Sequence, residues 1–229
     1  MCGRFALRAP LHQLIDQFLF TPGPDLALQP RFNIAPSQPI MALRYGNDDC
    51  PRELAAFHWG LVPSWANDPG TGARMINARS ETVAAKPSFR EAFQYRRCLV
   101  PADGYYEWQK EGRHKQPYFF HRADHQLFAF AGLWESWTDP ESGHHRESAT
   151  ILTRAANQVT RPIHDRMPVI LNVEDYDRWL DPAITDRDSL QSLLVIPGPE
   201  DLAVDRVSTR VNSPRNDDAR CLEPPRELF

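Results

Sequence analysis

Twenty-one prolines and eleven glycines punctuate this 229-residue chain. Each proline removes a backbone donor and fixes one dihedral, so it ends or bends whatever element it meets. The pieces left between them are short and loop-rich. Helical periodicity is scarce. Leu11, Leu14, Ile15 and Phe18 form one apolar stripe, which predicts a helix over Leu11–Phe20 ended by Thr21-Pro22-Gly23-Pro24. Ser88 to Tyr95 reads as a second, with Ser88 as N-cap and Glu91 completing a capping box. Val173–Leu180 is a third, with Glu174 and Asp175 in its first turn, and Asp188–Leu194 a fourth.

Strand signals are commoner. Ile40–Tyr45 and Glu53–Trp59 flank the turn Gly46-Asn47-Asp48 and read as a hairpin. Tyr105–Lys110 and Tyr118–His121 flank Glu111-Gly112-Arg113 and read as another. Cys98–Pro101, Leu127–Leu133 and Ser148–Thr153 are further strand candidates, whereas Arg31–Pro36 reads as a turn. This spacing fits a largely antiparallel sheet or barrel core with flanking short helices. No repeat, low-complexity tract or linker divides the chain. The expectation is a single α+β domain over residues 1–229.

Apolar residues make up 41% of the chain and charged residues 24%, the balance of a globular protein. No apolar run approaches the ~18 residues of a membrane span, so no membrane partner is expected. No basic-then-apolar leader opens the sequence, which places the protein in the cytosol. Cys2, Cys50, Cys98 and Cys221 are widely spaced with no C-x-x-C pair, so neither a zinc site nor a disulfide framework is expected. Cys98 and Cys221 read as small buried hydrophobes. Charge is uneven. Residues 1–122 hold 15 basic and 11 acidic side chains, and residues 123–229 hold 11 and 19. Within 71–122 there are ten basic and five acidic residues, and across the chain 23 Arg stand against three Lys. Guanidinium forks suit phosphate oxygens and base faces, so the 71–122 stretch points toward nucleic acid, although a GC-rich genome alone also favours Arg.

Chemistry gathers at a few places. Cys2 follows the initiator directly. Position alone favours an incidental residue on a frayed end. Once Met1 is removed, however, Cys2 presents an α-amine and a thiol two carbons apart. The amine titrates near ~7.7–8.0 and a free thiol near ~8.5, so both are partly reactive at neutral pH. Such a pair condenses with an aldehyde to a five-membered thiazolidine. Asn77 and Arg79 alternate on one face of an extended segment, an amide beside a guanidinium. Glu107 lies between Tyr106 and Trp108, where desolvation raises a carboxyl toward proton-transfer duty unless an Arg pairs with it. His164 sits between two prolines with acidic and basic neighbours, as a surface histidine or a general acid/base. Trp65 lies in a Pro/Ser/Asn context that leaves an indole exposed for stacking.

Taken in order, these segments resemble one family. Cys2-Gly3-Arg4-Phe5, Arg31-Phe32-Asn33-Ile34-Ala35-Pro36, Trp59-Gly60-Leu61-Val62-Pro63, Asn77-Ala78-Arg79-Ser80-Glu81-Thr82, Asp103-Gly104-Tyr105-Tyr106-Glu107-Trp108 and Ile163-His164-Asp165-Arg166-Met167-Pro168 are similar to the signature blocks of SOS response-associated peptidases. The segment Val207–Asn212 is similar to the last block. Relatives can carry a paired aromatic where this chain has Ser64-Trp65-Ala66. The resemblance implies covalent capture of abasic sites in single-stranded DNA, by a monomer without metal or cofactor, at the nucleoid when on DNA. It implies Cys2, Asn77, Glu107 and His164 as catalytic residues. It implies DNA contacts at Arg4, Asn33, Arg79 and Trp108, and further at Trp65 and Thr153. Abasic-site lyase chemistry and self-removal of Met1 are implied side activities. Two alternatives stay open on the residues alone: a cysteine peptidase acting on other proteins, and a non-catalytic single-strand binder using the 71–122 stretch.

Overall fold

The computed structural model describes residues 2–23, 28–47, 49–112, 114–194 and 202–225. The chain opens with strand β1 (Phe5–Leu7), helix α1 (Leu11–Phe18) and strand β2 (Arg31–Ile34). The hairpin of β3 (Pro39–Tyr45) and β4 (Arg52–Trp59) follows, then β5 (Asn77–Arg79) and α2 (Arg90–Tyr95). Next come β6 (Arg97–Ala102), β7 (Gly104–Glu111), β8 (His114–Arg122), β9 (Phe128–Thr138) and β10 (His145–Ala155). β11 (Arg166–Pro168), β12 (Ile170–Leu171), α3 (Tyr176–Leu180), α4 (Arg187–Ser192) and β13 (Leu202–Arg206) complete the order.

Five strands close on themselves. The order β10-β4-β3-β6-β9 is joined end to end because β9 also pairs with β10, from Thr138↔His145 to Gly132↔Ile151. Closure removes the free edges that an open sheet would leave. Within this barrel only β4 and β10 run parallel. β5 and β11 extend from β10, and β12 from β9. The second sheet is antiparallel throughout, in the order β13-β8-β7-β1-β2. The expected α+β class with a largely antiparallel barrel is therefore what the chain builds.

Aromatic side chains join the two sheets. Phe5 of β1 meets Trp59 edge-on at 5.2 Å and Phe130 at 5.8 Å. Tyr105 stacks on Phe120 at 5.0 Å and meets Phe130 at 6.1 Å. Burial of each such ring removes ~150–250 Å² from water, which makes this seam the main apolar contact holding the site's strands against the barrel. The Trp59 indole keeps its polar atom satisfied by donating to the Ile76 carbonyl at 2.9 Å.

Local signals failed at several ends. α1 stops two residues before Phe20, with Leu19 in the left-handed region at φ 51°. α2 has Phe89 rather than Ser88 at its N-cap and no side-chain cap. The preceding turns shift the start: the Lys86 carbonyl already accepts the amides of Phe89 and Arg90, so the chain is turning before it reaches Ser88. Arg31–Ile34 is a strand, not a turn, because β1 pairs with it and the Asp217 carboxylate accepts the amides of Phe32 and Asn33. α4 begins at Arg187, capped by Asp186, whose carboxylate accepts the Ser189 amide at 2.8 Å. The β7–β8 turn does place Gly112 at φ +60°, as a tight hairpin requires. Asp48 and Arg113, members of two expected turns, lie outside the described residues. No described helix is long and apolar enough to cross a membrane.

Arg97 is 2% exposed and serves the fold. Its guanidinium donates to the carbonyls of Phe93 and Gln94 at the end of α2, and of Trp179 and Asp181 at the end of α3. These are carbonyls that helix ends leave unpaired. A cation there also opposes the two helix dipoles favourably.

Candidate active site

β1 and β7 pair with Phe5 opposite Tyr105, and the Tyr106 amide donates to the Arg4 carbonyl at 2.9 Å. Followed back from Phe5, the chain runs along β7 toward Glu107. Alternation along β7 sorts its side chains. Tyr105, Glu107 and Gln109 take one face, and Tyr106 and Trp108 the other.

Cys2 lies against the first face with no exposed surface. Its carbonyl accepts the Asn77 amide at 2.7 Å. Asn77 comes from β5, held parallel to β10 with Asn77 opposite Ile151. Burial pushes the Cys2 thiol well above its ordinary value, and the charge of Glu107 pushes the same way. At neutral pH the sulfur therefore holds its proton. Glu107 is 3% exposed, and burial raises it to about 7, with the Asp165 charge adding to the rise. A carboxyl poised there can take or give a proton at the pH of the cell.

His164 Nε2 stands 4.0 Å from Glu107 Oε2. On the other side of the ring, Nδ1 accepts the Arg166 backbone N–H at 3.0 Å. A nitrogen that accepts carries no proton, so the neutral ring holds its hydrogen on Nε2, facing Glu107. Asp165 also approaches Nδ1 at 3.1 Å, but its side chain is 88% exposed and its pull matters only for a charged ring. Burial lowers the His164 pKa, which favours the neutral form. The loop that carries His164 is turned on itself. Asn157 Oδ1 accepts the Val159 and Thr160 amides, and the Thr160 carbonyl accepts those of Ile163 and His164.

Glu107 and His164 open onto a cleft of about 490 Å³ whose remaining walls are Arg4, Trp108, Lys115 and Asn212. The Arg4 guanidinium lies 5.6 Å from the Trp108 ring centre and donates to Asn33 Oδ1 at 2.7 Å and to the Val211 carbonyl at 2.8 Å. The Trp108 indole donates to Asn212 Oδ1 at 2.7 Å. Cation, indole face and chemical pair thus share one opening.

Other expected contact residues stand elsewhere. Asn33 is fully buried, its oxygen on Arg4 and its amide on the carbonyls of Val211, Ser213 and Asn216. It organises Arg4 and presents nothing to solvent. Thr153 is buried in β10, its carbonyl accepting from Arg166 at 2.6 Å. Arg79 is exposed and pairs in register with Thr153, on the same face of β5 as Asn77. Trp65 is 62% exposed on the loop after β4 and does not line the cleft. Lys115 and Asn212 were missed. Each had a signal that did not single it out, Asn212 its place in the last block and Lys115 its place in the basic 71–122 stretch. The basic stretch is not one patch. Arg97 is buried, Arg96 pairs with Glu91 and Glu135, and Arg122 pairs with Asp124. Among the described residues no group of three or more His, Cys, Asp or Glu is placed to hold a metal ion.

A largely antiparallel barrel, with a second sheet that brings Cys2 beside Glu107 and with His164 4.0 Å from that carboxylate, defines a distinct class of protein. Residues 1–214 match the model of the family described as SOS response associated peptidase. The chain belongs to that family. It is 43% identical over 225 residues to the abasic site processing protein YoqW of Bacillus subtilis strain 168, covering 97% of this chain and 99% of that one. It is 42% identical over 227 residues to the abasic site processing protein YoaM of the same organism, covering 97% and 98%. A crystal structure of a protein from Bacteroides thetaiotaomicron superposes with a TM-score of 0.86 at 26% identity, covering 97% of this chain and 99% of that one.

Proposed function

We propose that this protein processes abasic sites in single-stranded DNA by forming a thiazolidine on Cys2 after Met1 is removed. The observation that carries the reading is that Asn77 holds the Cys2 backbone while Glu107, whose charge reaches the Cys2 thiol, faces His164. The names of the relatives point to the same substrate.

An abasic sugar opens to a C1′ aldehyde. Ring opening moves the C1′ hydroxyl proton to the ring oxygen; Glu107 would carry that proton, and the neutral His164 would steady the ring oxygen by a hydrogen bond from its Nε2–H. The freed α-amine attacks C1′, giving a carbinolamine, and loss of water gives an imine. The Cys2 sulfur then bonds to the imine carbon, and the nitrogen takes up one proton. Glu107 relays that proton: it takes hydrogen from the thiol and returns one to the nitrogen. Charge on Glu107 opposes a thiolate, so protonating the carboxyl as the thiol ionises removes the repulsion. Asn77 fixes the Cys2 backbone, and its buried Oδ1 has no partner among the described residues. That oxygen is the acceptor a freed amine requires. Arg4, Lys115 and Arg79 would hold flanking phosphates, and Trp108 a base. One chain carries every group, so a monomer suffices. At the imine stage the C2′ proton is acidified, so strand cleavage by β-elimination is the expected side reaction. Removal of Met1 is the one peptidase step the mechanism needs.

The test is a denaturing gel of the purified protein with abasic and intact single strands. The abasic strand alone should give a shifted band that survives denaturant, and Cys2→Ala should lose it while retaining an imine trappable by borohydride. A stable band from Cys2→Ala would exclude the thiazolidine.

A further inference from the structure

The strand that carries Glu107 also grips the loop that carries His164, at two points two residues either side of it. The Tyr105 hydroxyl and Thr160 Oγ1 are 3.0 Å apart and bonded. The Gln109 side-chain amide donates to the Pro162 carbonyl at 3.0 Å. Its orientation is set from behind, because the Tyr118 hydroxyl donates to Gln109 Oε1 at 3.2 Å. The Thr160 carbonyl in turn accepts the His164 amide at 3.0 Å. Tyr105, Glu107 and Gln109 share one face of β7 by alternation, so the spacing of the strand sets the spacing of the loop.

We propose that Gln109 and Thr160 are positioning residues that hold His164 at working distance from Glu107. This rests on the reading of Cys2, Glu107 and His164 as the chemical centre. Without the grip, the loop keeps its internal turn through Asn157 and the protein folds, but the imidazole is no longer registered against the carboxylate. Gln109 is half-exposed, so its loss removes a bond without opening the core. Misplacing an acid/base group by a fraction of an ångström lowers the rate of the step it serves while leaving strand affinity to the cleft walls.

The experiment compares Gln109→Ala, Thr160→Val, Thr160→Ser and His164→Ala, alone and with Gln109→Ala added to His164→Ala. Single-turnover crosslinking to an abasic single-stranded oligonucleotide is followed across pH. Affinity for the intact strand is measured by fluorescence anisotropy. Gln109→Ala and Thr160→Val should each slow crosslinking roughly tenfold, the scale of one lost hydrogen bond plus some misalignment. Affinity should stay within about twofold, and Thr160→Ser should restore the rate. In the His164→Ala background, Gln109→Ala should have no further effect. Wild-type rates from Gln109→Ala and Thr160→Val, or a full tenfold loss from Gln109→Ala on top of His164→Ala, would overturn the positioning role. Absence of any stable adduct from the wild-type chain would instead overturn the function on which it rests.

Discussion

His164 Nε2 faces Glu107 Oε2 across 4.0 Å, with the ring hydrogen between them. That gap is wide for a direct hydrogen bond and narrow for two independent groups. It suits a pair that closes on an oxygen placed between them. The nearby thiol is protonated and the histidine neutral, so Glu107 is the group whose protonation changes near neutrality.

Stability should report that change directly. Glu107 titrates at about 7 when folded, against an ordinary value of 4.5, so the folded state binds its proton more tightly. Its contribution to stability is therefore present below about pH 4.5 and is lost as pH rises through about 7. The loss amounts to about 3 kcal/mol. Glu107→Gln should be more stable than the parent by up to that amount near pH ~8 and nearly equal near pH ~4.5. Urea midpoints at the two pH values measure it, and an equal gap at both would contradict a buried, proton-hungry carboxyl.

Residues left in front of Cys2 should silence the protein. With the α-amine tied in a peptide bond no imine can form, whatever the state of the thiol. A chain carrying a short amino-terminal extension should give no denaturant-stable adduct, and cleaving it at Cys2 should restore the adduct. Normal adduct yield from the extended chain would rule out the amine.

Arg79 should act on the strand rather than on the chemistry. Its side chain is exposed beside the Cys2–Asn77 contact. Arg79→Ala should lower single-strand affinity and reduce the slope of log K against log salt by about 0.7, the value of one lost phosphate contact. A titration over salt concentration with the slope unchanged would remove Arg79 from the phosphate contacts.

Asn212 should matter through Trp108. It holds the indole N–H at 2.7 Å, so Asn212→Ala frees the ring to leave the Arg4 side of the cleft. Single-strand affinity should fall about three- to tenfold, the scale of one hydrogen bond. Trp108 emission should shift as the indole loses its partner, and an unshifted spectrum with unchanged affinity would contradict the coupling.

The barrel strands were legible because each hairpin announces itself locally, as Ile40–Tyr45 and Glu53–Trp59 do around Gly46. The three-residue β1 was not, and β5 was legible only as an extended segment without a partner. Phe5–Leu7 and Asn77–Arg79 are strands only because β7 and β10 lie beside them, and pairings as distant as Phe5 with Tyr105 and Asn77 with Ile151 leave no local period. Among site residues, Glu107 and His164 were readable from their neighbours. Asn33 entered as a contact through the resemblance alone; its burial was not legible because the Asp217 and Val211 groups that hold it lie near the far end of the sequence.

That distance has a consequence in time. The Arg4 guanidinium is fixed by a carbonyl 207 positions later in the chain. Synthesis makes Arg4 long before the Val211–Asp217 arc, so that wall of the cleft forms only after the arc has been made. A chain truncated ahead of Val211 would keep Cys2 and lose this hold on Arg4.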